Sequence, residues 1–372
     1  MKAVADGELA IDDPLVIQHE LSCLVCRACE TACPSGVEFS VLMEHTREAI
    51  VHKGSRGFIN KFIYTAVIGS KVITNALQIS LALLSKTRFP VLFKKTFDIK
   101  SGIFSSIKIL PEEIPFPKSR PLVYRTSKAI RRGSVGLLIG CIGDVFTRPV
   151  NDATITVLNA LGYDVLTLPE INCCGSLAAH SGYLDQTRSL AINLLETIER
   201  NDIDAFITNI AGCGAMIKDY QSLLHDNSHS EAISKIKDIS EFLLDSIEEI
   251  KQLGLRFDEP TRISYQAPCH LYHGQKIIDA PAQLLSLIEN ANVSLLEEND
   301  ICCGSAGTYN VEHPEMSATL LQRKMELISQ NGSEIVTTAN SGCLMQLRSG
   351  LDGRQNHPQV YHFIEVIASL IS

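Results

Sequence analysis

Residues 173–176 read Cys-Cys-Gly-Ser, and residues 302–305 read Cys-Cys-Gly-Ser again. Working outward from each copy, Cys141 precedes the first pair and Cys213 follows it, while Cys269 and Cys343 bracket the second. The four cysteines of one set match those of the other at offsets of 128, 129, 129 and 130, so the chain contains two copies of one unit. Both copies end in the same dipeptide, Gly212-Cys213 and Gly342-Cys343.

The residues between these cysteines alternate between short apolar runs and helical periodicity. Val135 to Ile139, Asp164 to Leu168 and Ala205 to Ile210 read as buried strands, with helices over Pro149 to Leu161 and Asp185 to Arg200. The second copy answers with strands at Ile263 to Gln266, Val293 to Leu296 and Ile335 to Thr338, and helices over Gln275 to Glu289 and Pro314 to Gln330. Alternation of this kind predicts an α/β fold with parallel sheets. In such a sheet ligands bind outside the carboxyl ends of the strands. Each set of four thiols is therefore expected to converge there, with Gly175 and Gly304 letting the backbone approach whatever is bound. The eight residues Cys141, Cys173, Cys174, Cys213, Cys269, Cys302, Cys303 and Cys343 are the candidate cofactor-binding set. The competing reading, buried cysteine used as a small hydrophobe, suits single residues better than two matching sets of four.

A different pattern stands at the N-terminus. Cys23-x-x-Cys26-x-x-Cys29-x-x-x-Cys33-Pro34 is the bacterial ferredoxin spacing, and it makes these four cysteines the expected metal ligands for a 4Fe-4S cluster. Zinc also accepts four thiolates, but its sites usually come as two separated pairs. Pro34 fixes its own φ and turns the chain away from the site. The expectation is a small helical ferredoxin-like module over residues 1–50.

Residues 51–125 are expected to form a helical basic connecting segment and linker. From Ala49 to Phe97 there are eight Lys and Arg and no Asp or Glu, and a proline cluster follows at Pro111, Pro115, Pro117 and Pro121. The longest uncharged run there, Val72 to Ser85, is shorter than the roughly 20 residues that cross a bilayer, though a basic apolar segment can lie on an anionic membrane surface or an acidic partner. The two repeats are then expected at 126–255 and 256–372.

Composition narrows the function. A formal net charge of −9 argues against nucleic acid as the partner. Twelve cysteines behind the acidic start MKAVADGELAIDD read as reduced, metal-binding thiols of a cytoplasmic protein rather than a secreted disulfide framework. Neither G-x-G-x-x-G nor G-x-x-x-x-G-K-[ST] occurs, so no flavin or nicotinamide is expected in this chain. His180, His270, His273 and His313 lie near the cysteine sets and are candidate ligands or proton carriers, a lone histidine being more often structural.

Several stretches carry a resemblance: Cys26-Arg27-Ala28-Cys29-Glu30-Thr31-Ala32-Cys33-Pro34, Pro268-Cys269-His270-Leu271-Tyr272-His273-Gly274-Gln275, Cys302-Cys303-Gly304-Ser305-Ala306-Gly307-Thr308-Tyr309 and Thr338-Ala339-Asn340-Ser341-Gly342-Cys343. They resemble the iron-sulfur subunit of bacterial glycolate oxidase, of the cysteine-rich CCG-domain family. Related domains occur in lactate-utilisation proteins, anaerobic glycerol-3-phosphate dehydrogenase and heterodisulfide reductase. The resemblance implies an oxidoreductase in which flavoprotein subunits oxidise a 2-hydroxy acid, glycolate, while this subunit passes electrons toward a quinone, peripheral on the inner face of the cell membrane. It implies a subunit inactive alone and without catalytic residues of its own. A thiol-disulfide reductase of heterodisulfide type, or a lactate or glycerol-3-phosphate dehydrogenase subunit, is the alternative. Two departures from the pattern stand out. The resembled family has two ferredoxin motifs where this chain has one, which leads to the expectation that a first motif is missing upstream, its partner cluster being the one that Cys33 would serve. Heterodisulfide reductase also has a further cysteine three positions after each set, where this chain has Met216 and Gln346.

Overall fold

The computed structural model describes residues 1–54, 64, 70–87, 114–141, 143–352 and 357–371. Much of the basic stretch after Ser55, and Pro111, lie outside them. The N-terminal part is helical. α1 (Pro14–Leu21) starts on Asp13, whose carboxylate accepts from the Leu15 N–H at 2.8 Å, with Pro14 at the first helical position. The helices α2 (Ala28–Ala32), α3 (Phe39–His52) and α4 (Lys71–Ser85) follow.

The first repeat comprises β1 (Val123–Tyr124), β2 (Gly133–Leu137), α5 (Arg148–Ala160), β3 (Tyr163–Thr167), α6 (Ser176–His180), α7 (Leu184–Arg200), β4 (Ala205–Thr208), α8 (Ala211–Lys218), β5 (Ile236–Asp238) and α9 (Ile239–Leu244). The second comprises β6 (Arg256–Tyr265), a π-helical turn at His270–Gly274, α10 (Ala280–Leu285), β7 (Glu289–Leu295), α11 (Pro314–Asn331), β8 (Ile335–Thr338), α12 (Ser341–Leu351), β9 (Gln359–His362) and α13 (Phe363–Ser369). The first sheet has the order β1-β3-β2-β4-β5 and the second β7-β6-β8-β9. All pairs are parallel except the short β1 on β3. With β1 set aside, the two orders correspond strand for strand, as two copies of one unit require.

Strand interiors are apolar because both faces of each sheet are covered. Val135 and Leu137 of β2, Leu158 of α5, Ile263 and Tyr265 of β6, and Phe363 and Ile367 of α13 belong to one continuous buried core. α5 packs on α13, so the repeats share a core instead of meeting at a wet boundary. A second cluster, with Phe206, Leu194 and Tyr220, fills the opposite face of the first sheet. Each such large side chain contributes about 1.5–3 kcal/mol on burial.

The Cys-Cys-Gly turns repeat down to individual contacts. Gly175 has φ +77° and Gly304 φ +89°, a region other residues rarely adopt. A Cβ on Gly175 would lie 2.8 Å from Thr187 Cγ2, and one on Gly304 would lie 2.6 Å from the Ser317 carbonyl oxygen. The hydroxyls return the contact: Thr187 Oγ1 donates to the Gly175 carbonyl at 3.2 Å and Ser317 Oγ to the Gly304 carbonyl at 2.8 Å. The helices after the turns, α7 and α11, are thus seated directly on the glycines.

Both last strands of the repeats run into a capping box. Asp238 accepts from the Ser240 N–H at 2.9 Å while Glu241 accepts from the Asp238 N–H. His362 takes the place of Asp238, its Nδ1 accepting from the Ile364 N–H and its Nε2–H donating at 3.0 Å to the Asn209 carbonyl of the other repeat. Burial pushes His362 down to about 3, so it is neutral in the fold.

Some local expectations change. The helix expected over Gln275 to Glu289 is confined to Ala280–Leu285, because Lys276 turns at φ +60°, Pro281 opens a new first turn, and Glu289 already pairs with Arg256 in the sheet. β6 begins seven residues earlier than Ile263, with Pro260 lying where the β6–β7 register shifts.

Gly304→Ala should cost about 1–3 kcal/mol from φ alone and more from the approach to the Ser317 oxygen, measured as a lower urea midpoint; an unchanged midpoint would contradict the seating of α11. His362 ionises readily only when unfolded, so its share of stability is complete above about 6.5 and is lost as pH falls toward about 3. His362→Asn keeps a cap acceptor without the titration. It should flatten this acid-side loss in stability-against-pH curves while costing about 1 kcal/mol at neutral pH for the lost bond to Asn209.

Candidate functional site

The carboxyl ends of the two sheets face each other across a cavity of about 200 Å³ whose wall contains all eight repeat cysteines. In the first set the Cys141 thiol donates to Cys173 Sγ at 3.5 Å, and the Gly175 N–H reaches the same sulfur at 3.3 Å. Hydrogen bonds from Cys141 and Cys174 hold Cys173 well below the usual thiol range, whereas the bonds Cys174 makes with Cys173 and Cys213, with burial, push Cys174 well above it. The second set repeats the chain of contacts. The Gly304 N–H reaches Cys302 Sγ at 3.4 Å and Asn340 Nδ2 reaches Cys343 Sγ at 3.5 Å. Here Cys269 is raised by its bond with Cys302 and by burial.

Among the residues lining this cavity the titratable groups besides the thiols are His180 and His270. Their rings stack across the boundary between the repeats, centroids 5.2 Å apart and planes 16° from parallel. His270 is pushed down to about 3 by burial and by His180, and its Nε2–H donates to the Val25 carbonyl at 3.0 Å. His180 bonds Glu44 of α3 at 3.1 Å through Nδ1 and Ser176 at 3.2 Å through Nε2. His273 bonds Thr31 at 2.9 Å and the Asp300 carbonyl at 3.0 Å. His313 packs on Tyr309, whose hydroxyl donates to the Ser22 carbonyl at 3.0 Å. These contacts make the histidines fasteners: His180, His270 and His273 reach the N-terminal segment directly, and His313 does so through Tyr309.

That segment is the ferredoxin-spaced loop. Cys26 is pushed up to about 11 by burial and then by the charges of Cys269, Cys23 and Cys29; the His270 bond to the Val25 carbonyl seats the loop against the second repeat. Cys29 is raised by burial and by Cys23. Cys33 is lowered by the backbone N–H groups of Val37 and Ser35. Val25 at φ +51° and Arg27 at φ +65° make the loop costly to hold. Arg47 holds it, its buried guanidinium donating to the carbonyls of Glu20 (2.8 Å), Cys23 (2.7 Å) and His180. Arg27 adds a bridge to Glu30 at 2.7 Å and another to Asp219 of the first repeat, and these carboxylates outweigh burial to raise its pKa. Nothing in the spacing of the sequence singled out Arg47.

Among the described residues no group of three or more His, Cys, Asp or Glu is gathered for a single metal ion. The donors of the loop are nevertheless all thiols, mutually close enough to act on each other's charge, and this soft set suits iron-sulfur ligation more than a hard cation.

The CCG cysteine-rich domain model matches residues 135–218 and 263–348, the two repeats. A probable glycolate oxidase iron-sulfur subunit of Bacillus subtilis is 33% identical over 372 residues, spanning 95% of this chain and 82% of that protein. The chain belongs to the glycolate oxidase iron-sulfur subunit family. A further member of this family, the glycolate oxidase iron-sulfur subunit of Escherichia coli, is 28% identical over 361 residues, 94% of this chain and 81% of its own. A lactate utilization protein A of an Exiguobacterium species is 31% identical over 240 residues, 63% of this chain but 96% of that protein.

Arg47→Leu removes the donor from three carbonyls at once, at about 1–3 kcal/mol for each group left buried and unpaired. Hydrogen exchange should rise across residues 20–30 while protection in β2 and β8 stays unchanged; uniform loss of protection would show that Arg47 supports the whole fold instead of the loop.

Proposed function

We propose that this chain is the iron-sulfur electron-transfer subunit of a flavin-dependent 2-hydroxy-acid dehydrogenase, with glycolate the substrate of the complex. The observation that carries the reading is the seating of the ferredoxin-spaced loop beside the eight-thiol cavity, the Val25 carbonyl taken at 3.0 Å by His270, the residue after Cys269, whose ring lines that cavity. Cys23, Cys26 and Cys29 would hold a 4Fe-4S cluster, which supplies one-electron carriage. Cys33 is left to serve a neighbouring centre, as the fourth cysteine of such a run does in two-cluster ferredoxins. The eight repeat cysteines form the second station, a cofactor-binding cavity whose His270 also bonds the loop at Val25. Hydride chemistry falls to flavoprotein partners, since the chain carries no dinucleotide fingerprint.

The chain's own residues do the positioning. Arg47 and His270 hold the loop backbone against the cavity, whose lining, among the described residues, holds no Asp, Glu, Lys or Arg. Electrons leave toward a quinone at the membrane face. Support comes from α4, which exposes Val72, Leu77 and Leu83 and contains no acidic residue. No helix among the described residues is long and apolar enough to cross a bilayer. A second reading, with lactate as the substrate of the complex, is favoured by the lactate utilization proteins, one of which matches 63% of this chain over 96% of its own length.

Anaerobically purified protein should be brown and contain iron with acid-labile sulfide. Cys26→Ser should abolish the loop signal while far-ultraviolet circular dichroism of the repeats persists; zinc without sulfide would end the reading. The chain alone should not reduce a dye with glycolate, and turnover should appear on adding flavoprotein partners.

A further inference from the structure

The two thiol sets are not equivalent in access. Cys269, the first cysteine of the second set, is buried. Its counterpart Cys141 is half-buried and lines two spaces, the eight-thiol cavity and an adjoining open cavity of about 390 Å³. The latter lies between α4 and the ends of β2 and β3, and Lys71 and Lys118 stand in its wall. Arg120 lines it too, but is already paired with Asp144 and Asp152. Behind Cys141, Cys173 Sγ lies 3.5 Å away with its approach fixed by the Gly175 N–H. An accessible sulfur directly in front of a buried, hydrogen-bonded one is the arrangement that thiol-disulfide exchange needs: one sulfur meets the outside disulfide and the other resolves it.

We propose that Cys141 and Cys173 form a reversible intramolecular disulfide, made by exchange with a small anionic disulfide that enters the cavity lined by Lys71 and Lys118. Cys141 attacks one sulfur of the reagent, giving a mixed disulfide and releasing the first thiol with the Cys141 proton. Cys173 then attacks Cys141 Sγ, the mixed bond breaks, and the second half leaves as a thiol with the Cys173 proton. In balance, Cys141-SH, Cys173-SH and RSSR give the protein disulfide and two RSH, with two electrons passed from protein to reagent. The sulfurs must close from 3.5 Å to about 2 Å, a side-chain movement into the cavity they already face. Oxidation withdraws two of the four thiols of the first set, so disulfide and bound cofactor exclude each other in that repeat. The inference stands on sulfur geometry and is independent of the proposed function.

The test uses the full chain, titrated with mixtures of oxidised and reduced glutathione, quenched by alkylation and mapped by peptide mass spectrometry, with iron measured on the same samples. The expected result is one cross-link joining Cys141 to Cys173, reversed by excess reduced glutathione and absent in Cys141→Ser, while Cys269→Ser leaves it intact. Lys118→Glu should slow its formation several-fold with oxidised glutathione but not with the neutral 2-hydroxyethyl disulfide. A first cross-link through Cys174 or Cys213, or no cross-link where other thiols of the chain oxidise, overturns the proposal. Iron content separates the two readings: a sample without iron that still forms the link refutes the cluster and keeps the disulfide.

Discussion

Two glycine turns carry the architecture. At Gly175 and Gly304 the chain leaves a cysteine pair, turns through positive φ, and is met at once by the first or second turn of the following helix, so close that a methyl group would strike Thr187 or the Ser317 backbone. That contact sets where α7 and α11 lie on their sheets. It also aims both cysteine pairs outward from the strand ends, because the backbone cannot continue in a strand through a left-handed residue. With the repeats sharing one core through α5 and α13, the two sets have only one direction in which to face, and that is toward each other.

The N-terminal loop is a dependent structure. It holds two non-glycine residues at positive φ, and its own short helices bury little. What keeps it in place comes from elsewhere: the Arg47 guanidinium, the His270 and Tyr309 bonds to its carbonyls, and the Arg27 bridge to Asp219. The bonds from the charged Arg47 and Arg27 are worth about 1.5–3 kcal/mol each and those from neutral His270 and Tyr309 about 0.5–1.5 kcal/mol. Order in the loop is thereby tied to its contacts with both repeats.

Much of this was legible in one sequence because its signals were local or periodic. β8 lies at Ile335–Thr338 as its apolar run indicates, and α11 departs from Pro314 as a proline at a first helical turn allows. The helix over Gln275 to Glu289 was misread because apolar spacing alone cannot show that Lys276 turns left-handed or that Glu289 is taken by a neighbouring strand. β5 and β9 passed unnoticed, being three and four residues long, although the Asp238-x-x-Glu241 box marks the helix that follows the first of them.

By itself the sequence determined the repeat, the α/β class, the twelve thiols in their three groups, and the resemblance to the glycolate oxidase iron-sulfur subunit family. Those are properties of spacing and of residue type, which need no knowledge of distant contacts. Only the tertiary structure decided that the two sets of four share one cavity, that Cys141 borders a second space, and that Arg47 and the His180–His270 stack join the loop to the repeats. The reason is physical: each of these brings together residues far apart in the chain, 90 positions for the His180–His270 stack and 128 for Cys141 and Cys269, or depends on which side of a turn a side chain leaves. Such choices are made by close packing of helices on sheets, where the loss of a single methyl's room selects one arrangement over another.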